Sequence, residues 1–281
     1  MLIVIPNKVD DIELLADKVD GFILGIDKMS VNNNIYLKNL SYLNKIKDKQ
    51  VFISLNKNFE NSELEKLKST LIELNKYNIK GVLFYDLAVL NIYKSLNLNY
   101  DLVLSQEHLS TSYTTVNYYN DLGVKYAYLS SDITLEEINE ILKKSKTKLM
   151  VNLFGYLPMF VSKRHAVKNY LEYFNLKDSS KINYIEKEGK IYPIVDNDIA
   201  VQVYSNNILN GIKSYVNLDI DYVVLNGFNI EIDKFIQVVD MFKSVNKSNA
   251  DENYSKINSM FKNVDEGFLN TKTIYKVKHE K

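Results

Sequence analysis

The feature that most constrains this chain is an alternation. Short apolar runs are followed, again and again, by stretches with helical periodicity. The runs are LIVI (2–5), GFILGI (21–26), VFISL (51–55), GVLFY (81–85), DLVLS (101–105), YAYLS (126–130), KLMVNLF (148–154) and YVVLNG (222–227). A run too short for a helix and bounded by turn residues reads as a strand, and one apolar throughout is buried on both faces. Eight strand–helix units of roughly 25–30 residues predict an α/β fold, a TIM-barrel-like (β/α)8 domain. The competing arrangement is a doubly wound open sheet. Neither GxGxxG nor a Walker loop follows any strand, so the usual reason for that choice is missing.

The spacers read as helices: VDDIELLADK, IYLKNLSYLNKIKDK, SELEKLKSTLIELNKYN, LAVLNIYKSL, about 111–122, TLEEINEILKKS and EIDKFIQVVDMFKSV. Leu64, Leu67, Leu71 and Leu74 mark one face of the third, where Ser62 and Glu65 have capping-box spacing, as do Thr134 and Glu137 further on. After the seventh strand the rhythm breaks, and an excursion runs from Gly155 to about Ser205. It contains a helix, AVKNYLEYF, and a hairpin, INYIEKEGKIYPIV, turning at Glu188–Gly189. NILNGIKSYVNL then reads as helix, Asn246–Tyr254 as linker or exposed turn, and DEGFLNTKTIYKVK as a strand-like tail. The expected organisation is a barrel-like domain over 1–246, including the insertion 155–205, and a C-terminal extension over 247–281.

Composition enters by exclusion. There is no cysteine, so disulfides, thiolate nucleophiles and cysteine-ligated zinc or iron–sulfur centres are ruled out. No cofactor and no metal site is expected. Lys+Arg and Asp+Glu are both 35, which argues against a nucleic-acid grip spread over the whole surface and leaves room for a local basic patch. The start, MLIVIPNKVDDIELL, does not read as a signal peptide, and no run of about 18 apolar residues exists. A cytoplasmic protein with no membrane partner is expected.

In a barrel, function collects where strands end. Those ends carry Asn7, Asn56, Asp86, Gln106-Glu107-His108, Ser130-Ser131-Asp132, Asn152 and Asn226. SQEHLSTSY (105–113) is the densest acid–base cluster, with Glu107 beside His108. There is no HExxH and no GxSxG. The other concentration is GYLPMFVSKRH (155–165), which holds the chain's single arginine. Gly155 permits a turn off the strand and Pro158 stiffens the segment. Lys163, Arg164 and Lys168 suit a phosphate or carboxylate, and Tyr156 and Phe160 offer rings for stacking. The candidate ligand-binding set is therefore Tyr156, Ser162, Lys163, Arg164, Gln106, Asn152 and Asn226. The candidate catalytic set is Glu107, His108 and His165.

GYLPMFVSKRHAVKNYL also resembles the signature segment of the collagenase-like peptidases, family U32. Gly155 and Leu157 match it, and Ser162 to Arg164 and Asn169–Tyr170 look like variants of its short members. QEHLSTSYTTVNYYNDLGVKYAYLSSDITLEEI, KIYPIVDN and DEGFLNTKTIYKVK resemble further segments, so the likeness covers nearly the whole chain. It implies a TIM-barrel-like domain. The departures bear on chemistry. The two signature cysteines fall at Pro158 and His165, the signature Glu at Met150 and its Phe at Asn152. The late Lys-Ile-Glu-Gly-Arg segment is VLNGF (224–228), and the Arg-Glu pair after strand six is Ser131-Asp132. Family members linked to RNA or ubiquinone hydroxylation carry a four-cysteine iron–sulfur cluster, which this chain cannot build. The resemblance thus implies a short, cluster-free member acting as an accessory or binding subunit in tRNA modification. Its partners would be a longer paralogue and RNA or a small anionic ligand. The alternative it implies is a hydrolase using Glu107, His108 and His165; a purely structural module is the third reading.

Overall fold

The computed structural model describes residues 1–177 and 180–271. Its strands are β1 (Leu2–Ile5), β2 (Gly21–Ile26), β3 (Tyr36–Leu37), β4 (Gln50–Leu55), β5 (Gly81–Phe84), β6 (Asp101–Leu104), β7 (Tyr126–Tyr128), β8 (Lys148–Ser162), β9 (Asn183–Lys187), β10 (Lys190–Asp196), β11 (Val201–Asn210), β12 (Tyr222–Asn226) and β13 (Val264–Asp265). Eight of them, β1, β2, β4, β5, β6, β7, β8 and β12, pair in parallel, and β12 bonds to both β8 and β1, closing the ring. The protein is a (β/α)8 barrel, as the alternation predicts.

Period-two alternation divides each strand between two cores. Ile3, Ile23, Phe52, Leu83, Val103, Met150 and Val224 point into the barrel. Val4, Leu24, Ile53, Phe84, Leu104, Val151 and Leu225 point outward into the layer beneath the helices. Phe52, Tyr126 and Tyr222 meet edge to face at 5.6–6.0 Å, near the starts of their strands. They fill the N-terminal end of the barrel, so any open space lies at the other end.

The helices are α1 (Asp11–Leu15), α2 (Leu64–Leu74), α3 (Leu87–Lys94), α4 (Tyr113–Asp121), α5 (Leu135–Lys144), α6 (Ala166–Tyr173), α7 (Ile212–Tyr215), α8 (Ile232–Ser244) and α9 (Ala250–Met260). Among the described residues, none is long and apolar enough to cross a membrane. Leu67, Leu71 and Leu74 bury the expected face of α2. The capping box before it joins Glu60 and Glu63, not Ser62 and Glu65, because the chain first makes a 3-10 turn at Asn61–Glu63. The Thr134–Glu137 box at α5 forms as expected, a feature worth about 1 kcal/mol.

Three spacers differ from their sequence reading. The stretch 35–49 holds β3 and a 3-10 helix, Leu40–Ile46, rather than one α-helix. The Gly25 and Asp27 amides donate to the Ile35 and Leu37 carbonyls, which ties its start to β2. NILN (207–210) is the end of β11, and only Ile212–Tyr215 is helical. The polar linker is the start of α9, which packs on α7 and α8 and buries Ala250, Asn253 and Ile257. Within the tail, Val264–Asp265 pairs with β11, and 272–281 lie outside the described residues.

The excursion after the seventh strand is an arm, and GYLPMFV is strand rather than loop. β8 runs unbroken for 15 residues. Its inner half closes the barrel, and its outer half pairs antiparallel with β11, followed by β10 and β9. The hairpin turn falls at Glu188 and Gly189, both with positive φ (53° and 72°). Gly155 sits where the two halves of β8 meet, with φ 109°. A Cβ there would lie 2.2 Å from the Asn226 carbonyl oxygen, so only glycine lets β8 cross β12 so closely.

Candidate functional site

The C-terminal end of the barrel opens into a cavity of about 450 Å³. Its floor is apolar, from Ile5, Ile23, Leu83 and Tyr128. Burial, and secondarily Glu107, raise the Tyr128 pKa, so its hydroxyl keeps its proton. Much of the wall is polar and comes from the ends of four strands and the loops after them: Asn32 and Asn33 after β2, Ser54 and Asn56 at β4, Ser105, Glu107 and His108 after β6, Ser130 to Asp132 after β7. Leu157 to Met159 of β8, Ser205 to Asn207 of β11, and Asp265, Gly267 and Phe268 also line it.

The acid–base cluster reaches this cavity. Adjacent residues ordinarily point apart, yet Glu107 has φ 27° at the start of a 3-10 turn, and both Glu107 and His108 line the space. The Glu107 carboxylate accepts from the Asn32 side-chain amide at 2.6 Å. Its burial pushes its pKa above the usual carboxylate range, and Asp132 adds to this, while the Asn32 bond and His108 act the other way. His108 Nδ1 lies 2.5 Å from Asp132 Oδ2. The carboxylates at the cavity are Glu107, Asp132 and Asp265, and no lysine or arginine lines it among the described residues.

Asn152 and Asn226 also line the cavity, and both are engaged in holding its rim. With its side-chain amide assigned so that nitrogen faces the acceptors around it, Asn152 donates to the Phe154 and Val224 carbonyls (3.2 and 3.0 Å), where the β8–β12 register shifts. The Asn226 side-chain Oδ1 accepts from the Phe228 amide and the Asn34 side chain, and its Nδ2 donates to the Tyr156 carbonyl. Gln106 lies in the wall behind, donating to the Tyr85 carbonyl and accepting from the Tyr119 hydroxyl.

The remaining sequence-derived candidates lie along the arm, away from the cavity lining. Tyr156 packs edge-on against Phe228, and burial raises its pKa, with Tyr184 adding to it. The Ser162 hydroxyl accepts from the Arg164 amide, Lys163 pairs with Glu60 at 2.8 Å, and Arg164 is exposed. His165 Nδ1 lies 2.9 Å from Asp196 Oδ1, while Asp196 Oδ2 accepts from the Val167 and Lys168 amides at the start of α6. His165 is therefore separate from the Glu107–His108 pair.

Sequence reasoning did not single out Asn32, Asn33 or Asp265. The run VNNNI after the second strand was a visible signal for the first two, since three consecutive amides have no place in a core. Among the described residues, no group of three or more His, Asp or Glu side chains is placed to hold a metal ion.

Comparison with known proteins bears on this geometry. The model of peptidase family U32 matches residues 28–276. A relative, tRNA hydroxylation protein P2 of Bacillus subtilis (strain 168), is 23% identical over 250 residues, spanning 80% of this chain and 81% of its own. Among solved structures, a U32 peptidase aligns with a TM-score of 0.48 at 12% identity, covering 80% of this chain and 91% of its own. Orotidine 5'-monophosphate decarboxylase from Methanocaldococcus jannaschii aligns with a TM-score of 0.44 at 13% identity, covering 92% and 97%.

Proposed function

This chain belongs to peptidase family U32, and on that premise we propose that it is an accessory or binding subunit in tRNA modification. The observation that carries the reading is the likeness, over four fifths of both chains, to a tRNA hydroxylation protein. The absence of cysteine shapes the role. An iron–sulfur cluster of the four-cysteine kind has no ligands here, so no step is assigned to one. Chemistry that needs such a cluster falls to a partner, a longer paralogue that retains the cysteines, and the work belongs in the cytoplasm where tRNA is modified. Arg164, exposed on the arm and free of any ion pair among the described residues, is the side chain best suited to a phosphate.

The hydrolytic alternative is disfavoured. Its three residues do not assemble, since His165 is held by Asp196 on the arm while Glu107 and His108 face the cavity. Purification of the full chain from its native cell tests the proposal. A longer family member or tRNA should travel with it, and deletion of the gene should lower hydroxylated nucleosides in total tRNA by mass spectrometry. Purification without either partner, and unchanged nucleosides after deletion, would overturn it.

A further inference from the structure

We propose that the cavity at the barrel mouth binds a small neutral ligand bearing hydroxyl groups, of the class of a sugar or polyol. The inward-facing residues of the barrel point to it. Such side chains stack in layers, and bulky branched residues dominate them. The layer nearest the mouth departs from that pattern. Phe52, Val103 and Tyr126 face inward, so two residues further on Ser54, Ser105 and Tyr128 face the same way. All three line the cavity. Ser54 and Ser105 are 1% and 7% exposed, so each is more than nine-tenths buried. Among the described residues, none of the three hydroxyls has a hydrogen-bond partner. The unpartnered polar atoms that are sealed from open space belong to other residues, so these three hydroxyls open onto the cavity.

The groups are held in place before any ligand arrives. Ser54 sits on β4, which pairs with β2 on one side and β5 on the other. The Ser54 carbonyl also accepts from the Ser30 hydroxyl, and the Ser105 amide donates to the Phe84 carbonyl. Asn56, just past β4, adds a donor. Its Oδ1 accepts from the Val31 amide, and its Nδ2 has no acceptor among the described residues. Polar groups fixed on paired strands carry little ordering cost on binding.

The chemistry of these groups selects the ligand. A hydroxyl that can both give and take is well served by water, and a ligand that displaces the water keeps affinity only by reproducing its bonds. A ligand hydroxyl does this in either sense. Charge is disfavoured at this depth. The Tyr128 hydroxyl keeps its proton, the serines are neutral, and Ile5, Ile23 and Leu83 complete the floor. A charged end would give up its hydration there for no counter-charge. A purely apolar ligand would leave every hydroxyl unserved. A sugar ring sets its C–H faces on the apolar floor and its hydroxyls against Ser54, Ser105 and Tyr128. The inference stands apart from the tRNA-modification reading, which rests on a relative and on the arm.

The chemistry has two sources, a free sugar or the ribose of a nucleoside. Calorimetric titration of the full chain separates them, using glucose, ribose, myo-inositol and cytidine as hydroxylated probes. Cytosine, tetrahydropyran, butyrate and butylammonium are the controls without hydroxyls. At least one hydroxylated probe should bind at least about tenfold more tightly than every control. Ser54→Ala, Ser105→Ala and Tyr128→Phe should each lower that affinity about fivefold or more. The same three variants should melt no lower than the wild type, because each removes a hydroxyl without a partner in the fold. A hydroxyl kept for structure would lower the melting temperature, so this readout separates the two roles with no ligand present. Cytidine binding above the free sugars would assign the site to a ribose, and the reverse order to a free sugar; either result supports the hydroxylated ligand. Controls that bind as well as the probes, no heat from any probe at about 10 mM, where a millimolar site would fill, or variants that melt lower and keep their affinity, each overturns it. None of these results depends on whether tRNA or a paralogue co-purifies.

Discussion

β8 belongs to two structures at once, and its two halves obey different rules. From Leu149 to Gly155 every residue is buried; from Met159 to Val161 every side chain is exposed. The inner half is held by packing on both faces. The outer half pairs with β11 at the base of an arm, where Tyr204 is buried and stacks on Phe228, while the arm displays Phe160, Tyr170, Tyr173 and Tyr184 to solvent. α6 on this arm buries no residue at all. The cavity lies where the two meet, with its floor from the barrel and part of its wall from the arm. Rigidity is thus concentrated on the barrel side, where the polar groups of the mouth are fixed.

The sharpest way to break this contrast is to truncate one phenylalanine from each half. Phe154 is fully buried against Phe235, Phe242 and Phe261. Phe154→Ala should cost about 3–5 kcal/mol in urea denaturation. Phe160→Ala, six residues along the same strand, should stay within about 0.5 kcal/mol. Similar losses at the two positions would mean that the arm is packed rather than merely paired.

Gly155→Ala tests the junction. The added Cβ meets the Asn226 carbonyl oxygen, and the backbone conformation disfavours any side chain. A loss of roughly 2–3 kcal/mol is expected, with disturbance of the rim that Asn226 organises. A neutral outcome in thermal melts would show that β8 can slip outward without cost.

Much of this contrast was legible in the sequence, and unevenly so. Both-face burial writes a strand as a continuous apolar run, so all eight barrel strands stood out. The arm's strand did not, because GYLPMFV carries a glycine and a proline and reads as a loop until β11 is seen beside it. Ile208 and Leu209 fit a helical spacing, yet their partners Tyr156 and Gly155 lie more than fifty residues back, and pairing of that kind overrides local periodicity. At the mouth, Glu107 and His108 were visible as chemistry, while the adjacency that argued against them is resolved only by the positive φ of Glu107. Asn32 and Asn33 stood in a visible run of amides, but their place in the lining depends on ties from their loop to Asn56 and Gln202, 25 and 170 residues away, which no local pattern records.

On the arm, Asp196→Ala removes one carboxylate that does two jobs, holding His165 and accepting from the first amides of α6. The expected loss is about 1 kcal/mol and local. Hydrogen exchange should quicken across α6 while the barrel amides keep their protection. Equal acceleration in the barrel strands would show the two regions to be one cooperative unit.

The smallest effect belongs to the mouth, and there the sign carries the information. The folded protein raises the Glu107 pKa above its unfolded value, chiefly through burial. The folded state therefore holds the proton where the unfolded state has released it, and stability falls as pH rises through that window. Glu107→Gln removes the titration while keeping an acceptor for Asn32. Below the unfolded carboxylate value, about 4.3, the two proteins should differ by a constant amount. As pH climbs through the folded pKa, the wild type should lose stability relative to Glu107→Gln, and the gap should then level off. Asp132 pushes the Glu107 pKa further up, and the Asn32 bond and His108 pull it down. Urea midpoints of both proteins give the curve. A wild type that gains stability relative to Glu107→Gln as pH rises would mean that the folded protein lowers the Glu107 pKa, through a cation beside the carboxylate that outweighs its burial.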